Sequence, residues 1–203
     1  MKYSKLLKDA VAFTTGAVYK NEYRLIQQHC HELNIVGAFY HYFRLYFGDQ
    51  FRPYCIDMEY SRMGNRLLPK EIAVNARDGV CPCCHKEHKR RIRSDFIIHK
   101  PGSDKNLFVR ECKGEWSSGC LEWDHRKLCE LTKPITSRPD GESYVCGYKL
   151  GVSIMLKDSG VGLEWFTNGE KDGDAIEISK KDLILKYESY NCELTKKLKR
   201  SGV

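Results

Sequence analysis

The chain has no run of about 18 apolar residues, which excludes a helical membrane span as the reading of its sequence. It has no internal repeat, so a solenoid or propeller is not expected. No low-complexity segment breaks it up. Its opening stretch is a poor secretory leader, because Lys8 and Asp9 form a charged pair inside the only apolar part. A cytoplasmic location is therefore expected. Acidic residues are outnumbered, 27 against 34 basic ones, so the chain carries a net charge of +7. That excess favours a polyanionic partner without establishing one.

What is present suits one folded domain spanning 1–203. Apolar residues make up 41%, enough for a core and too many for a disordered chain. The basic residues cluster. Lys86, Lys89, Arg90, Arg91 and Arg93 form one run, and Lys196, Lys197, Lys199 and Arg200 another. A solvated face accounts for each run as well as a binding surface does. There are 10 cysteines, and reduced thiols are expected rather than a disulfide framework.

Periodicity predicts a helix from about Glu22 to Phe47, with Leu25, Val36, Phe39, Phe43 and Phe47 on one face. Glu32 falls in the middle of that stripe, where a carboxylate is costly unless paired. Tyr54 to Tyr60 reads as a strand. Two more strands, Ile92 to His99 and Leu107 to Lys113, flank the turn Pro101-Gly102-Ser103-Asp104, which suits a hairpin. A helix is expected over Leu121 to Thr132, with Leu121, His125, Leu128 and Thr132 on one side. A long strand over Tyr144 to Leu156 would pair with Gly162 to Thr167, and a last helix would run from Lys180 to about Lys199. Helix, three strands, helix, strand is a mixed α/β order.

Alternation along a strand puts Glu111 and Lys113 on one face. Apart from Arg110 their neighbours are apolar. In a hairpin, Asp95 at the start of one strand lies beside the end of the other. Two close carboxylates repel unless a cation sits between them. Mg²⁺, or Mn²⁺ in its place, takes such oxygen ligands, polarises a phosphodiester and lowers the pKa of a bound water. A structural Asp–Lys–Glu salt-bridge cluster explains the same spacing.

Ser94-Asp95, fifteen residues, then Glu111-Cys112-Lys113 resembles the PD-(D/E)xK motif of the restriction-endonuclease-like nuclease superfamily. Asp57-Met58-Glu59-Tyr60-Ser61-Arg62, Arg93 to His99, Asn106 to Lys113, Asp124 to Leu128 and Tyr148 to Gly151 resemble successive segments of an uncharacterised bacterial group within it. The resemblance covers roughly residues 29 to 156. Ser94 stands where proline is usual, and Ser61 where the group has asparagine. It implies a restriction-endonuclease-like αβββαβ core, a central mixed sheet flanked by helices. It implies that Asp95 and Glu111 bind Mg²⁺ (or Mn²⁺), with the backbone carbonyl of Cys112 as a third ligand and Lys113 assisting the attacking water. Glu32 and Glu59 would serve as supporting or second-metal carboxylates, with Asp57 as the alternative to Glu59. Tyr60 and Arg62 would contact phosphate or pack on a helix.

A basic insert at about 79–93 carries Cys81, Cys83, Cys84, His85 and His88. Thiolate and imidazole suit Zn²⁺, and Cys81, Cys84 and His88 supply three ligands of the four that close a site. Free thiols or redox chemistry explain the cluster too. Lys89, Arg90, Arg91 and Arg93 would then sit on a loop able to grip phosphates. Cys30, Cys55, Cys112 and Cys129 read as small core residues, His125 as packed, His29 as a core or surface histidine, and Trp116, Trp123 and Trp165 as core or rim.

The expected function is a metal-dependent nuclease acting on nucleic acid, DNA ahead of RNA, without a membrane partner and with a homodimer allowed. The alternatives are a nucleic-acid-binding protein that keeps the fold without cleaving, and a zinc-stabilised interaction module.

Overall fold

The computed structural model describes residues 2–48, 52–60, 62–63, 68–69, 71–73, 89–103, 105–135 and 146–200. Three helices come first: α1 (Lys2–Asn21), α2 (Tyr23–Gln27) and α3 (Glu32–Phe47). Strand β1 (Cys55–Tyr60) follows. Two short ribbons come next, β2 (Arg62–Met63) with β3 (Leu68–Pro69), and β4 (Glu71–Ala73) with β5 (Lys89–Arg91). Then come β6 (Ser94–His99), β7 (Asn106–Gly114), α4 (Leu121–Thr132), β8 (Leu150–Lys157) and β9 (Gly160–Thr167). The described chain ends with β10 (Glu170–Lys171), β11 (Ile176–Ser179) and α5 (Lys180–Arg200).

The central sheet has seven strands in the order β1-β6-β7-β8-β9-β10, with β11 also pairing β9. It is mixed and open. β7 and β8 run parallel, because α4 carries the chain back between them; the other pairs are antiparallel. Alternation along the strands divides the core in two. Phe96, Ile98, Phe108, Cys112, Val152 and Ile154 face α1 and α3 in the larger cluster. Ile97, Val109 and Phe166 meet Leu128 and Leu131 of α4 in the smaller one. Helices thus cover both faces, and no described helix is long and apolar enough to cross a membrane.

The expected helix over Glu22 to Phe47 is two helices. His29 takes a left-handed φ of 50°, which ends α2, and the Nδ1 of His31 accepts from the Leu33 N–H at 3.2 Å to start α3. Glu32 is therefore not in the middle of a stripe. It opens α3, where the unpaired N–H groups favour an acid.

Helix α1 lacks a strong helical signal in the sequence. Its inner face buries Leu7, Val11, Thr14, Thr15 and Val18, and the threonine hydroxyls donate to Ala10 O (2.8 Å) and Val11 O (2.7 Å). At Gly16 an added Cβ would lie 2.3 Å from Leu183 O and 2.7 Å from Tyr187 Cβ, so glycine lets α1 and α5 approach closely.

The long strand expected from Tyr144 starts only at Leu150. Gly147 has φ +59°, and Tyr148 N–H donates to Leu131 O at 3.0 Å rather than to a neighbouring strand. Positions 144 and 145 lie outside the described residues. Helix α4 keeps its expected bounds but is rotated. Its buried residues are Asp124, Lys127, Leu128, Leu131 and Thr132.

Candidate active site

Strands β6 and β7 pair with Phe96 opposite Arg110, so Asp95 sits at the register position beside Glu111. On the other side, Glu111 is level with Ser153 of β8. Asp95, Glu111 and Lys113 thus share the face covered by α4. The structure brings the three expected residues to one end of the central strands. Asp95 Oδ2 accepts from the Cys112 backbone N–H at 2.7 Å, which fixes that carboxylate across the hairpin.

Helix α4 supplies two further residues, Asp124 and Lys127. Lys127 Nζ donates to Glu111 Oε2 at 2.5 Å and lies 2.9 Å from Asp124 Oδ1. Lys113 Nζ lies 2.6 Å from Asp124 Oδ2. Asp124 therefore holds both ammonium groups, and Lys113 reaches α4 rather than Glu111. All four are buried, with Glu111 only 3% exposed. The missed signal was Asp124 and Lys127 on the same helix face as Leu128 and Leu131. An apolar-stripe reading turns such charges outward, yet paired charges can be buried.

Among the described side chains, three carboxylates (Asp95, Glu111, Asp124) face two ammoniums (Lys113, Lys127), leaving one excess negative charge when all are ionised. Burial, followed by the charge of Asp95, pushes Glu111 well above the ordinary carboxylate range. Burial also raises Asp95, against the lowering effect of the Cys112 N–H and of Lys127. Lys127 goes up as well: burial opposes its charge, but Glu111 and Asp124 more than offset that. Glu111 Oε1 is buried without a hydrogen-bond partner among the described residues.

Glu32 lies on the opposite face, with its Oε1 buried and unpartnered. Its charge is felt at the Cys112 thiol, which burial pushes up to about 12. That thiol is a packed core group and a poor nucleophile at neutral pH. Arg110 is on the same face. It is 0% exposed, with its guanidinium 4.1 Å from the ring centre of Phe39, 4.8 Å from Phe96 and 5.9 Å from Phe43. Among the described residues none of its three side-chain nitrogens has a hydrogen-bond partner, and burial pulls its pKa down.

The other expected residues are spread more widely. Asp57 is paired with His99 (2.6 Å) and level with Ile97, away from Asp95. Glu59 falls between Met58, opposite Phe96, and Tyr60, opposite Ser94, so its backbone is level with Asp95. For Glu59, Tyr60 and Arg62 only the backbone is described. The same holds for Lys89, Arg90 and Arg91 of β5, which pair with Ala73, Ile72 and Glu71. Arg93 is exposed. Cys81, Cys84 and His88, the zinc candidates, lie outside the described residues. His125 Nε2 is 2.5 Å from Glu164 Oε2, and His29 stacks on Trp116 at 4.6 Å. The described cysteines are free; of the four expected in the core only Cys112 is buried, Cys30 and Cys129 are half-buried, and Cys55 is exposed because it begins β1 at the sheet edge.

Fold and site together define a mixed α/β protein with a buried acid–lysine network at one end of its central strands. No family model, curated protein or solved structure matches the chain.

The donor chemistry at Asp95 and Glu111 is carboxylate oxygen, which suits a hard divalent ion. Glu111 Oε1 is the buried oxygen that such an ion would satisfy. Among the described residues no group of three or more His, Cys, Asp or Glu could hold a metal, so these residues offer two side-chain donors and not a closed cage.

Proposed function

We propose that the chain is a metal-dependent nuclease of the PD-(D/E)xK kind that hydrolyses phosphodiester bonds, with DNA as the substrate. The carrying observation is the convergence of Asp95, Glu111 and Lys113 at one end of paired strands, with a buried Glu111 oxygen left unpartnered. The order α3, β1, β6, β7, α4, β8 around a mixed sheet supports a restriction-endonuclease-like core. Asp95 and Glu111 would hold Mg²⁺ or Mn²⁺, with the Cys112 carbonyl beside them. When bound, the ion supplies a polarised phosphoryl oxygen and a water of lowered pKa. Asp95 is oriented by the Cys112 N–H, and Lys113 offsets charge on the phosphate while Asp124 holds its ammonium. Glu59, whose backbone is level with Asp95, acts as a supporting carboxylate, whereas Glu32 lies on the opposite face of the sheet and does not reach the ion. The basic strand β5, shortly before β6 in the chain, offers Lys89, Arg90, Arg91 and the nearby Arg93 to the phosphate backbone.

The ion pairs Lys127–Glu111 and Lys113–Asp124 favour a second reading, in which the network is structural and the chain binds nucleic acid without cutting it. Cleavage assays on plasmid and single-stranded DNA with Mg²⁺ or Mn²⁺ separate the two. The nuclease reading expects wild-type cleavage, and a loss of at least about 100-fold in Asp95→Ala and Lys113→Ala. Equal cleavage by all three chains overturns the proposed site, and no cleavage by any of them overturns the nuclease reading in favour of the second.

A further inference from the structure

A buried carboxylate is costly unless a positive charge meets it. Glu111 is met by one ammonium, that of Lys127, at 2.5 Å. Lys113 lies on Asp124 Oδ2 instead. Lys127 therefore neutralises Glu111 where the nuclease reading needs a divalent ion. The same ammonium is already 2.9 Å from Asp124 Oδ1, one helical turn away on α4. It has a second anion to rest on if it leaves Glu111.

We propose that Lys127 is the resident cation of the site: it holds Glu111 when no metal is bound and withdraws onto Asp124 when a divalent ion enters. The inference rests on the nuclease reading, because it assigns a competitor to the ion that reading requires. Withdrawal leaves both Glu111 oxygens open, the unpartnered Oε1 and the Oε2 that Lys127 now occupies. Asp124 then carries Lys113 on one oxygen and Lys127 on the other, so no lysine is left buried without an anion. Lys127 is in this sense a positioning residue. It sets how tightly the site takes a metal and does not itself touch the reacting phosphate.

The test is direct Mn²⁺ binding, read from the electron paramagnetic resonance of free Mn²⁺ in the presence of the full chain. Lys127→Gln keeps amide donors for Glu111 and Asp124 but removes the competing charge. It is expected to bind Mn²⁺ about tenfold more tightly than wild type, since a like charge beside the ion is gone. Asp124→Asn removes the resting place of Lys127 and one negative charge, and is expected to bind about tenfold more weakly. A Lys127 that merely braces the fold would weaken binding when replaced. Unchanged or weaker binding in Lys127→Gln, with wild type binding normally, overturns the inference and leaves the nuclease reading standing. No Mn²⁺ bound by any chain overturns both. The Asp124→Asn arm reads the same electrostatics without changing Lys127, so unchanged or tighter binding there overturns the inference even if Lys127→Gln does not fold.

Discussion

On one face of β7, Arg110 lies among Phe39, Phe43 and Phe96 with no hydrogen-bond partner among the described residues. On the other, Glu111 and Lys113 are tied by ion pairs to Lys127 and Asp124 of α4. Both faces bury charge within one segment of one strand. The first does so with aromatic rings, which a weakly hydrated guanidinium accepts. Carboxylates have no such recourse and need a cation. The difference separates a face that packs from a face whose charged groups can exchange partners. Only the second offers chemistry.

The comparison breaks most visibly in the packing face. Phe39→Ala is expected to cost about 3–5 kcal/mol of stability, because Phe39 is fully buried beside Arg110 and leaves a cavity. Mn²⁺ affinity should stay as in wild type. Denaturant unfolding with and without Mn²⁺ checks both halves.

Next come the two buried cations, compared by the same substitution. Lys127→Met leaves Glu111 and Asp124 short of a partner and is expected to cost about 3 kcal/mol without metal. Arg110→Met removes a guanidinium that has no acceptor, so it should be neutral or stabilising by about 1 kcal/mol. Equal losses in thermal melts of the two variants would mean that the faces do not differ in the way their geometry indicates.

The smallest expected effect is on pH. Asp95 and Glu111 are both raised in the folded chain, chiefly by burial. The folded state then binds more protons than the unfolded state between the ordinary carboxylate range and the raised values. Stability falls as pH rises through that window, and rises as pH drops from neutral into it. The gain is expected without metal, and saturating Mn²⁺ should abolish it by holding both carboxylates ionised. Lys127 contributes with the opposite charge type. Its raised value gives stability present below the ordinary lysine range and lost only at strongly alkaline pH. Melts across mildly acidic and neutral pH, with and without Mn²⁺, provide the check.

Much of the candidate site's geometry was legible in the sequence. The Pro101–Gly102 turn between two apolar runs fixed the β6–β7 hairpin, and strand parity then placed Asp95, Glu111 and Lys113 together. The bounds of α4 were legible too, but its orientation was not. Asp124 and Lys127 face inward because they neutralise one another and the strand residues, a tertiary effect that no periodicity shows. The break at His29–His31 depends on a left-handed histidine and a histidine cap, and neither is a common helix signal. Helix α1 stayed hidden because Val, Thr and Gly at its centre weaken helical propensity. Close packing on α5 and hydroxyl-to-carbonyl bonds support it instead.

The most direct test of the central claim is anomalous diffraction from a crystal of the wild-type chain grown with Mn²⁺. One strong peak is expected within about 2.0–2.3 Å of an oxygen from each of Asp95 and Glu111, with the Lys127 ammonium on Asp124 rather than on Glu111. A site without a peak, with Lys127 still on Glu111 under saturating Mn²⁺, would contradict it.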